Sequence, residues 1–363
     1  MGNSFGTSFV LTSFGESHGA AVGGVIDGFP ANLEIDLSFV QSELDRRRPG
    51  LEAFSSPRQE EDRLEILSGI YQGRSTGAPI AFLVRNRDQK PEDYNHLAGV
   101  YRPSHADFTW QQKYGFRDPR GGGRSSARET VVRVAAGALA KLFLRTYGIG
   151  FSSRITRIGE YLIEEPGTGA EGREDEPSLR ASSPDAPQIM AYLEKLKSAG
   201  DTTGGVISCT IAGVPAGLGE PVFDKLQADL ARAMLSINAA RGFEYGSGFK
   251  AAAMKGSEHN DPFIRDGERI RTLTNHSGGI QGGISNGEEI VFRVAFKPVP
   301  TLMKDQQTVN LAGDPVILKG KGRHDICIVP RALPVVEAMA ALVIADHLKR
   351  NGERVNGKEG ISN

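Results

Sequence analysis

Cysteine is scarce in this chain: Cys209 and Cys327 are the only two in 363 residues. They stand far apart in apolar, strand-like settings, which argues against a disulfide framework or a cysteine-based metal site and favours two buried, reduced thiols. No apolar run reaches the roughly 18 residues that a membrane span needs. The first residues also lack the basic and apolar regions of a signal peptide, so the expected location is cytoplasmic, with no membrane partner. A surplus of one charge is missing too. With 43 Lys and Arg against 44 Asp and Glu, the net charge is −1, so no nucleic acid partner is expected. No G-x-x-x-x-G-K-[ST] occurs, and no G-x-G-x-x-G follows a strand, which argues against a P-loop enzyme and against a resident nicotinamide site. No internal repeat stands out.

What is present is concentrated in one place. The stretch Asp118-Pro-Arg-Gly-Gly-Gly-Arg-Ser-Ser-Ala-Arg-Glu129 opens a long apolar helix. Three glycines let a backbone approach a ligand closely, although each costs about 1 kcal/mol of order. Ser125 or Ser126 can cap the helix, and Ser126 with Glu129 has capping-box spacing. A helix start of this kind offers N–H groups and partial positive charge to an anion. From Arg102 to Arg133, six arginines and Lys113 face Asp107, Asp118 and Glu129, so the window carries 7 − 3 = +4 within a near-neutral chain. A phosphate or carboxylate ligand is expected here.

Hydrophobic spacing predicts strands over 9–14, 21–26, 64–67, 80–84, 206–211, 289–296 and 326–329. It predicts helices over 37–48, 106–114, 127–147, 186–197, 221–237 and 331–349. Several strands abut others with only turns between them, so the expected fold class is α+β with antiparallel sheets, and the length allows one large domain or two. Residues 164–187 read as an exposed polar excursion and 351–363 as a flexible tail.

Two further clusters look chemical. Gly15-Glu-Ser-His-Gly19 follows a strand and exposes His18 at a turn. It also fits the G-x-S-x-G nucleophile elbow of a serine hydrolase using Ser17, but that motif needs a helix next, and the sequence that follows is strand-like. In Arg102-Pro-Ser-His-Ala-Asp107, His105 stands just before a helix, and beside a phosphate it can act as an acid. Asp45-Arg-Arg-Arg48 reads either as a solvated helix end or as a substrate clamp.

Taken in order, these clusters resemble the chorismate synthase family from about Gly2 to Arg350. The series comprises Phe14-Gly-Glu-Ser-His-Gly19, Asp45-Arg-Arg-Arg-Pro-Gly50, Arg102-Pro-Ser-His-Ala-Asp107, Gly121-Gly-Gly-Arg-Ser-Ser-Ala-Arg-Glu129, Ser236-Ile-Asn-Ala239, Gly278-Gly-Ile-Gln-Gly-Gly283 and Lys321-Gly-Arg-His-Asp325. The resemblance implies a β-α-β sandwich, one domain over 1–350, assembling as a homotetramer. It implies a lyase that converts 5-enolpyruvylshikimate 3-phosphate to chorismate and phosphate by 1,4-anti elimination, with reduced FMN as cofactor. His18, His105 and Asp325 then match the catalytic positions. Arg124, Ser125, Ser126, Asn238, Ala239, Gly282, Lys297, Thr301 and Arg323 match cofactor contacts, while Arg47, flanked by Arg46 and Arg48, and Arg128 match substrate contacts. An outside flavin reductase is the expected electron source.

The sequence departs from the family pattern at Ala53, where many members carry an arginine that Arg58 would replace. It departs again at Lys297-Pro-Val-Pro-Thr301 and at Ile326 after Asp325, where proline is common. Residues 256–279 and 305–323 flank matched positions and are expected to close over the ligands.

Overall fold

The computed structural model describes residues 2–48, 54, 61–87, 96–163, 186–321 and 324–352. Ala53, Arg58 and Arg323 lie outside these residues, as do most of the polar excursion and the tail.

Two five-stranded antiparallel sheets enclose a layer of helices. The first contains β1 (Ser4–Phe5), β2 (Val10–Gly15), β3 (Ala21–Asp27), β7 (Ile80–Arg85) and β4 (Leu64–Ile66), in that spatial order. The second runs β11 (Ala240–Tyr245), β16 (Ile290–Phe296), β10 (Gly205–Ala212), β8 (Gly150–Ile158) and β9 (Tyr161–Leu162). Between them lie α1 (Leu37–Arg47), α3 (Thr130–Arg145), α5 (Leu226–Leu235) and α7 (Val329–Arg350). The outer helices are α2 (Asp107–Tyr114) and α4 (Ala186–Ser198), with one further turn at α6 (Gly256–His259).

Burial explains the layering. A helix that is apolar all round must be covered on every side, and in α7 nearly every residue from Val329 to Leu348 is buried. Helices α3 and α7 pack on each other more extensively than any other helix pair. Their contact is closest at Gly137, where an added Cβ would lie 2.3 Å from the Ala338 Cβ. Only glycine lets the two backbones meet there.

The helix layer also holds charge. Lys141 Nζ on α3 lies 2.5 Å from Glu43 on α1 and 2.6 Å from Glu337 on α7. Arg46 pairs with the same two carboxylates, and Ser153 Oγ on β8 donates to Glu337 at 2.6 Å. Burial would raise the Glu337 pKa, but Lys141 and Arg46 outweigh it and hold the carboxyl below its usual range.

The chain contains a repeat that its sequence does not advertise. Gly69, Ile70, Gly73, Ser75, Gly77, Ile80, Phe82 and Val84 recur at a constant offset of 279 − 69 = 210, as Gly279, Ile280, Gly283, Ser285, Gly287, Ile290, Phe292 and Val294. In both copies the segment folds as a small hairpin leading into a central strand. The hairpins are β5 (Ile70–Tyr71) with β6 (Arg74–Ser75), and β14 (Ile280–Gln281) with β15 (Ile284–Ser285). Gly28-Phe-Pro-Ala-Asn-Leu33 likewise returns as Gly213-Val-Pro-Ala-Gly-Leu218, at an offset of 213 − 28 = 185. Pairing register follows these offsets: Ile26 faces Ile80 as Ile211 faces Ile290, and Ile66 faces Phe82 as Tyr245 faces Phe292. Each repeat is therefore a four-stranded sheet (β2-β3-β7-β4 and β8-β10-β16-β11) followed by a long helix.

Most predicted elements form within a few residues of their expected bounds. Three expectations need correcting. Residues 326–329 are not a strand: Cys327 makes an isolated bridge to Thr203, and Val329 already begins α7. The helix expected over 221–237 starts only at Leu226. The capping box forms by half, since Ser126 accepts from the Arg128 amide at 3.3 Å while the Glu129 carboxylate turns to Arg133. The helix accordingly opens as a 3-10 turn over Ala127–Glu129. Both cysteines are buried and free. No helix among the described residues is long and apolar enough to cross a membrane.

Candidate active site

His18 sits on the five-residue connection between β2 and β3 and is buried. Its Nδ1 lies 3.0 Å from Ser17 Oγ, which donates to the Gly121 carbonyl at 3.2 Å. With the hydroxyl proton committed to that carbonyl, Nδ1 must be the donor to Ser17. The imidazole lies directly on Gly121, where an added Cβ would come 2.0 Å from the ring, and Gly121 has φ +60°. The glycine run therefore serves first to seat His18. Ser17 is buried and a strand follows it, so the serine-hydrolase alternative fails on geometry.

His105 stands at the entry to α2. Its Nδ1 lies 3.0 Å from the Pro103 carbonyl, an acceptor only, so Nδ1 carries the proton and Nε2 faces Thr301 Oγ1 at 3.3 Å. Burial first, then Arg102, lowers the His105 pKa. The connection carrying His105 is stapled by Arg102 and Arg117, which share the Asp107 carboxylate at 2.8 and 3.3 Å. Arg117 also donates to the Leu97, Ala98 and Val100 carbonyls.

Lys297 joins this group from the far end of β16. Its amide donates to the Ala239 carbonyl at 3.0 Å and its Nζ to the Ser104 carbonyl at 3.1 Å. Ala239 and Ser104 are both non-glycine residues at positive φ (67° and 58°), strained positions of the kind that concentrate at functional sites. Burial, then Arg241, lowers the Lys297 pKa. Asn238 Nδ2 donates to the Ser125 carbonyl at 3.0 Å, while its buried Oδ1 has no hydrogen-bond partner. Arg124 reaches the other way and donates to the Gly15 carbonyl, Ser13 and Asn3. Gly122 packs near Arg102, which links the His18 and His105 groups.

A second knot lies behind the first. Arg47 and Arg128 both grip Asp62, whose side chain is fully buried. Burial would raise the Asp62 pKa, yet the two guanidiniums hold it below the usual carboxylate range. Burial also lowers the Arg47 pKa, to about 10, against the pull of Asp62. Arg331 bonds the Arg47 carbonyl at 3.2 Å and pairs with Asp325 at 2.6 Å.

The described geometry thus gathers His18, His105, Asp325, Arg47, Arg128, Ser125, Ser126, Asn238, Ala239, Lys297 and Thr301 into two adjoining clusters. Arg46 is turned away to Glu43 and Glu337, because neighbours on a helix point about 100° apart. Arg48 pairs with Asp45 at 3.3 Å. Gly282 lies on the turn between β14 and β15, where no described contact ties it to either histidine. Asp62, Asn86 and Arg331 escaped the sequence reading; for Asp62 and Asn86 no motif marks them, and Arg331 was read only as a helix start.

The segments expected to close over the ligands each contain a hairpin. β17 (Gln306–Val309) with β18 (Pro315–Leu318) docks on the chain before His105, where Tyr101 N donates to Val309 O at 3.1 Å. β12 (Phe263–Asp266) with β13 (Arg269–Thr272) is exposed along almost its whole length.

Antiparallel sheets around a helical layer, with two histidines beside arginines that share carboxylates among the described residues, define an α+β enzyme built to handle a small anion. Comparison with known proteins then supplies the family. The family model for chorismate synthase matches residues 9–348. A chorismate synthase of Cytophaga hutchinsonii is 55% identical over 354 residues, covering 97% of this chain and 98% of that protein. That of Bacteroides thetaiotaomicron is 57% identical over 351 residues, covering 96% and 98%. A crystal structure of a chorismate synthase superposes with a TM-score of 0.75 at 33% identity, covering 96% of this chain and 93% of that one. The chain belongs to the chorismate synthase family of lyases.

Proposed function

We propose that this chain converts 5-enolpyruvylshikimate 3-phosphate to chorismate and phosphate by a 1,4-anti elimination that requires reduced FMN. The observation that carries the reading is the charge imbalance. Among the described residues Asp107 serves both Arg102 and Arg117, while Lys297 and Arg124 bond only carbonyls, an amide oxygen and a hydroxyl. Positive charge held this way, beside two histidines, suits a substrate with two carboxylates and a phosphate.

The residues present fit a flavin. The unspent Asn238 Oδ1, next to Ser125 and Lys297, offers an acceptor to a ring that carries an N–H. Asn238, Ala239, Ser125, Ser126, Lys297 and Thr301 would hold it, with Arg124 anchoring the loop, and Gly282 and Arg323 assigned by family resemblance. When bound, the reduced cofactor supplies electron density that helps phosphate depart. With the bound phosphate raising its pKa so that Nε2 takes up a proton, His105 would give that proton to the leaving phosphate. His18 would protonate or stabilise the reduced ring, and Asp325 would help to take up the proton lost by the substrate. Arg47 and Arg128 bind the substrate anion, with Arg46 and Arg48 supporting the helix end beside them.

A homotetramer is proposed as well. The β12–β13 ribbon exposes Phe263 and Ile270 by 67% and 74%, and two strands alone are marginal in water, so a second copy is the natural cover. Light scattering on the full chain reads this directly.

The deciding experiment is anaerobic. Chemically reduced FMN with substrate is expected to give chorismate, whereas NADPH with oxidised FMN is expected to give none until a separate flavin reductase is added. No product with reduced FMN would overturn the proposed reaction, and turnover with NADPH alone would overturn the need for an outside reductase.

A further inference from the structure

Asn86 is assigned no role by family resemblance or by any motif, yet it is the residue on which the His18 turn hangs. It follows the last residue of β7 and is 8% exposed. Its amide donates to the Ala20 carbonyl at 3.1 Å. Its side-chain Nδ2 donates to the carbonyls of Glu16 at 2.9 Å and Gly19 at 2.8 Å, one on each side of His18. Oδ1 accepts from Arg128 Nε at 2.8 Å, and Arg128 reaches on to Asp62, which Arg47 also holds.

We propose that Asn86 is a positioning residue for His18: it clamps both ends of the turn that carries the imidazole and ties that turn to the Arg128–Asp62–Arg47 knot. Three observations converge on it. Both carbonyls flanking His18 take a hydrogen from one side-chain nitrogen. Ser17 ties the turn to the Gly121 carbonyl at one point, and the Gly19 amide closes it on the Glu16 carbonyl at 3.1 Å, but neither bond anchors both ends of the turn to the end of β7. Both the donors and the acceptor of the amide are used, so no residue of different chemistry replaces it: a carboxylate keeps Arg128 but loses the carbonyls, and an aliphatic group loses both. The turn is followed at once by β3, so a slack clamp lets the imidazole swing away from Gly121 while the sheet stays intact. Misplacing a catalytic group by about 1 Å costs on the order of a hundredfold in rate.

The importance of this residue for turnover rests on the proposed chemistry of His18, but the positioning itself is read without cofactor or substrate. In the full, ligand-free chain, the His18 ring resonances are followed through a pH titration in the wild type and in Asn86→Asp, which retains the Arg128 contact. The expected result is a displaced titration midpoint and exchange broadening confined to residues 16–20 and 121, with the other histidines unmoved. With reduced FMN and substrate, the same variant is expected to lose kcat by about a hundredfold while KM stays within about threefold. His18 resonances and midpoint identical to wild type would overturn the proposal. A moved His18 with unchanged turnover would leave the clamp standing and remove His18 from the chemistry. Should Asn86→Asp not fold, side-chain amide exchange in the wild type decides: protons locked on the two carbonyls exchange slowly, and free exchange of Asn86 Nδ2 overturns the clamp.

Discussion

The two repeats share a scaffold and divide the candidate site between them. In the first, β2 and β3 are joined by the short turn that carries His18, whereas the corresponding β8 and β10 are separated by residues 159–204, which include α4. In the first, the stretch from β7 to the long helix brings Asn86, Arg102, His105 and the glycine run. In the second, the stretch from β16 to α7 brings Lys297, Thr301 and Asp325. The contacts that assemble the site cross from one repeat to the other: Thr301 to His105, Lys297 to Ser104, Asn238 to Ser125 and Arg331 to Arg47. Neither repeat holds a complete set. A duplicated frame supplies rigidity, and function accumulates in the connections where the copies diverged.

The sharpest test of this division is His105→Ala against Thr301→Ala. Loss of the proposed acid is expected to lower kcat by about a hundred- to ten-thousandfold with FMN affinity little changed. Loss of the hydroxyl that only faces Nε2 is expected to cost about tenfold or less. Equal losses in steady-state kinetics would mean that the repeats contribute equally to the chemistry, and an unaltered His105→Ala enzyme would remove that residue from it.

Next in size is the charge buried where the repeats meet. Glu337→Ala leaves Lys141 and Arg46 with only Glu43 of the two carboxylates they share, and breaking a buried pair in this way costs up to about 3–5 kcal/mol. Urea unfolding should show it as a lower midpoint. A midpoint within error of wild type would show that Glu43 alone suffices for both cations.

Proton linkage separates the repeats differently. Burial and Arg102 lower the His105 pKa in the free chain, so the imidazole is neutral at pH 7 until an anion arrives. A bound phosphate raises that pKa, so affinity gained through His105 is fully present below the free-chain value and is lost as pH rises through the bound value. In that window, affinity falls by up to about tenfold per pH unit, with uptake of about one proton. Calorimetry with inorganic phosphate, in two buffers of different ionisation enthalpy, reads the uptake, and His105→Ala should abolish it. Uptake persisting in that variant would shift the linkage to another group.

Much of this was legible in the sequence, and the failures have causes. Local pattern located β2, β3, β7, β10 and β16 because they are apolar and β-branched, and the motifs located His18 and His105. The run at 326–329 misled because the apolar residues that usually mark a strand here open a helix covered on all sides. β8, with the sequence Gly-Phe-Ser-Ser-Arg-Ile-Thr-Arg-Ile over Gly150–Ile158, was passed over because polar residues alternate on its exposed face. Asp62 and Asn86 act through buried contacts to residues distant in sequence, which leave no spacing to read. The repeat hid because its offset changes from 185 to 210 between segments, as the two copies carry connections of different length.

The smallest expected effect tests the repeat itself. Ser75 Oγ donates to the Pro30 carbonyl at 2.6 Å and accepts from Leu33 N at 2.9 Å; Ser285 Oγ donates to the Pro215 carbonyl at 2.6 Å and accepts from Leu218 N at 2.9 Å. Both serines are buried. Alanine at either position strands one amide and one carbonyl, at a cost of about 1–2 kcal/mol. Because partners, distances and burial agree, the two losses should agree within about 0.5 kcal/mol, and because the sites are far apart in the fold they should add. Neither serine touches the histidine clusters, so kcat should hold in both variants. Unequal losses in denaturant unfolding would mean that the copies keep the same bonds while resting on them to different degrees. A fall in turnover confined to Ser285→Ala would instead connect its hairpin, and with it Gly282, to the cofactor site.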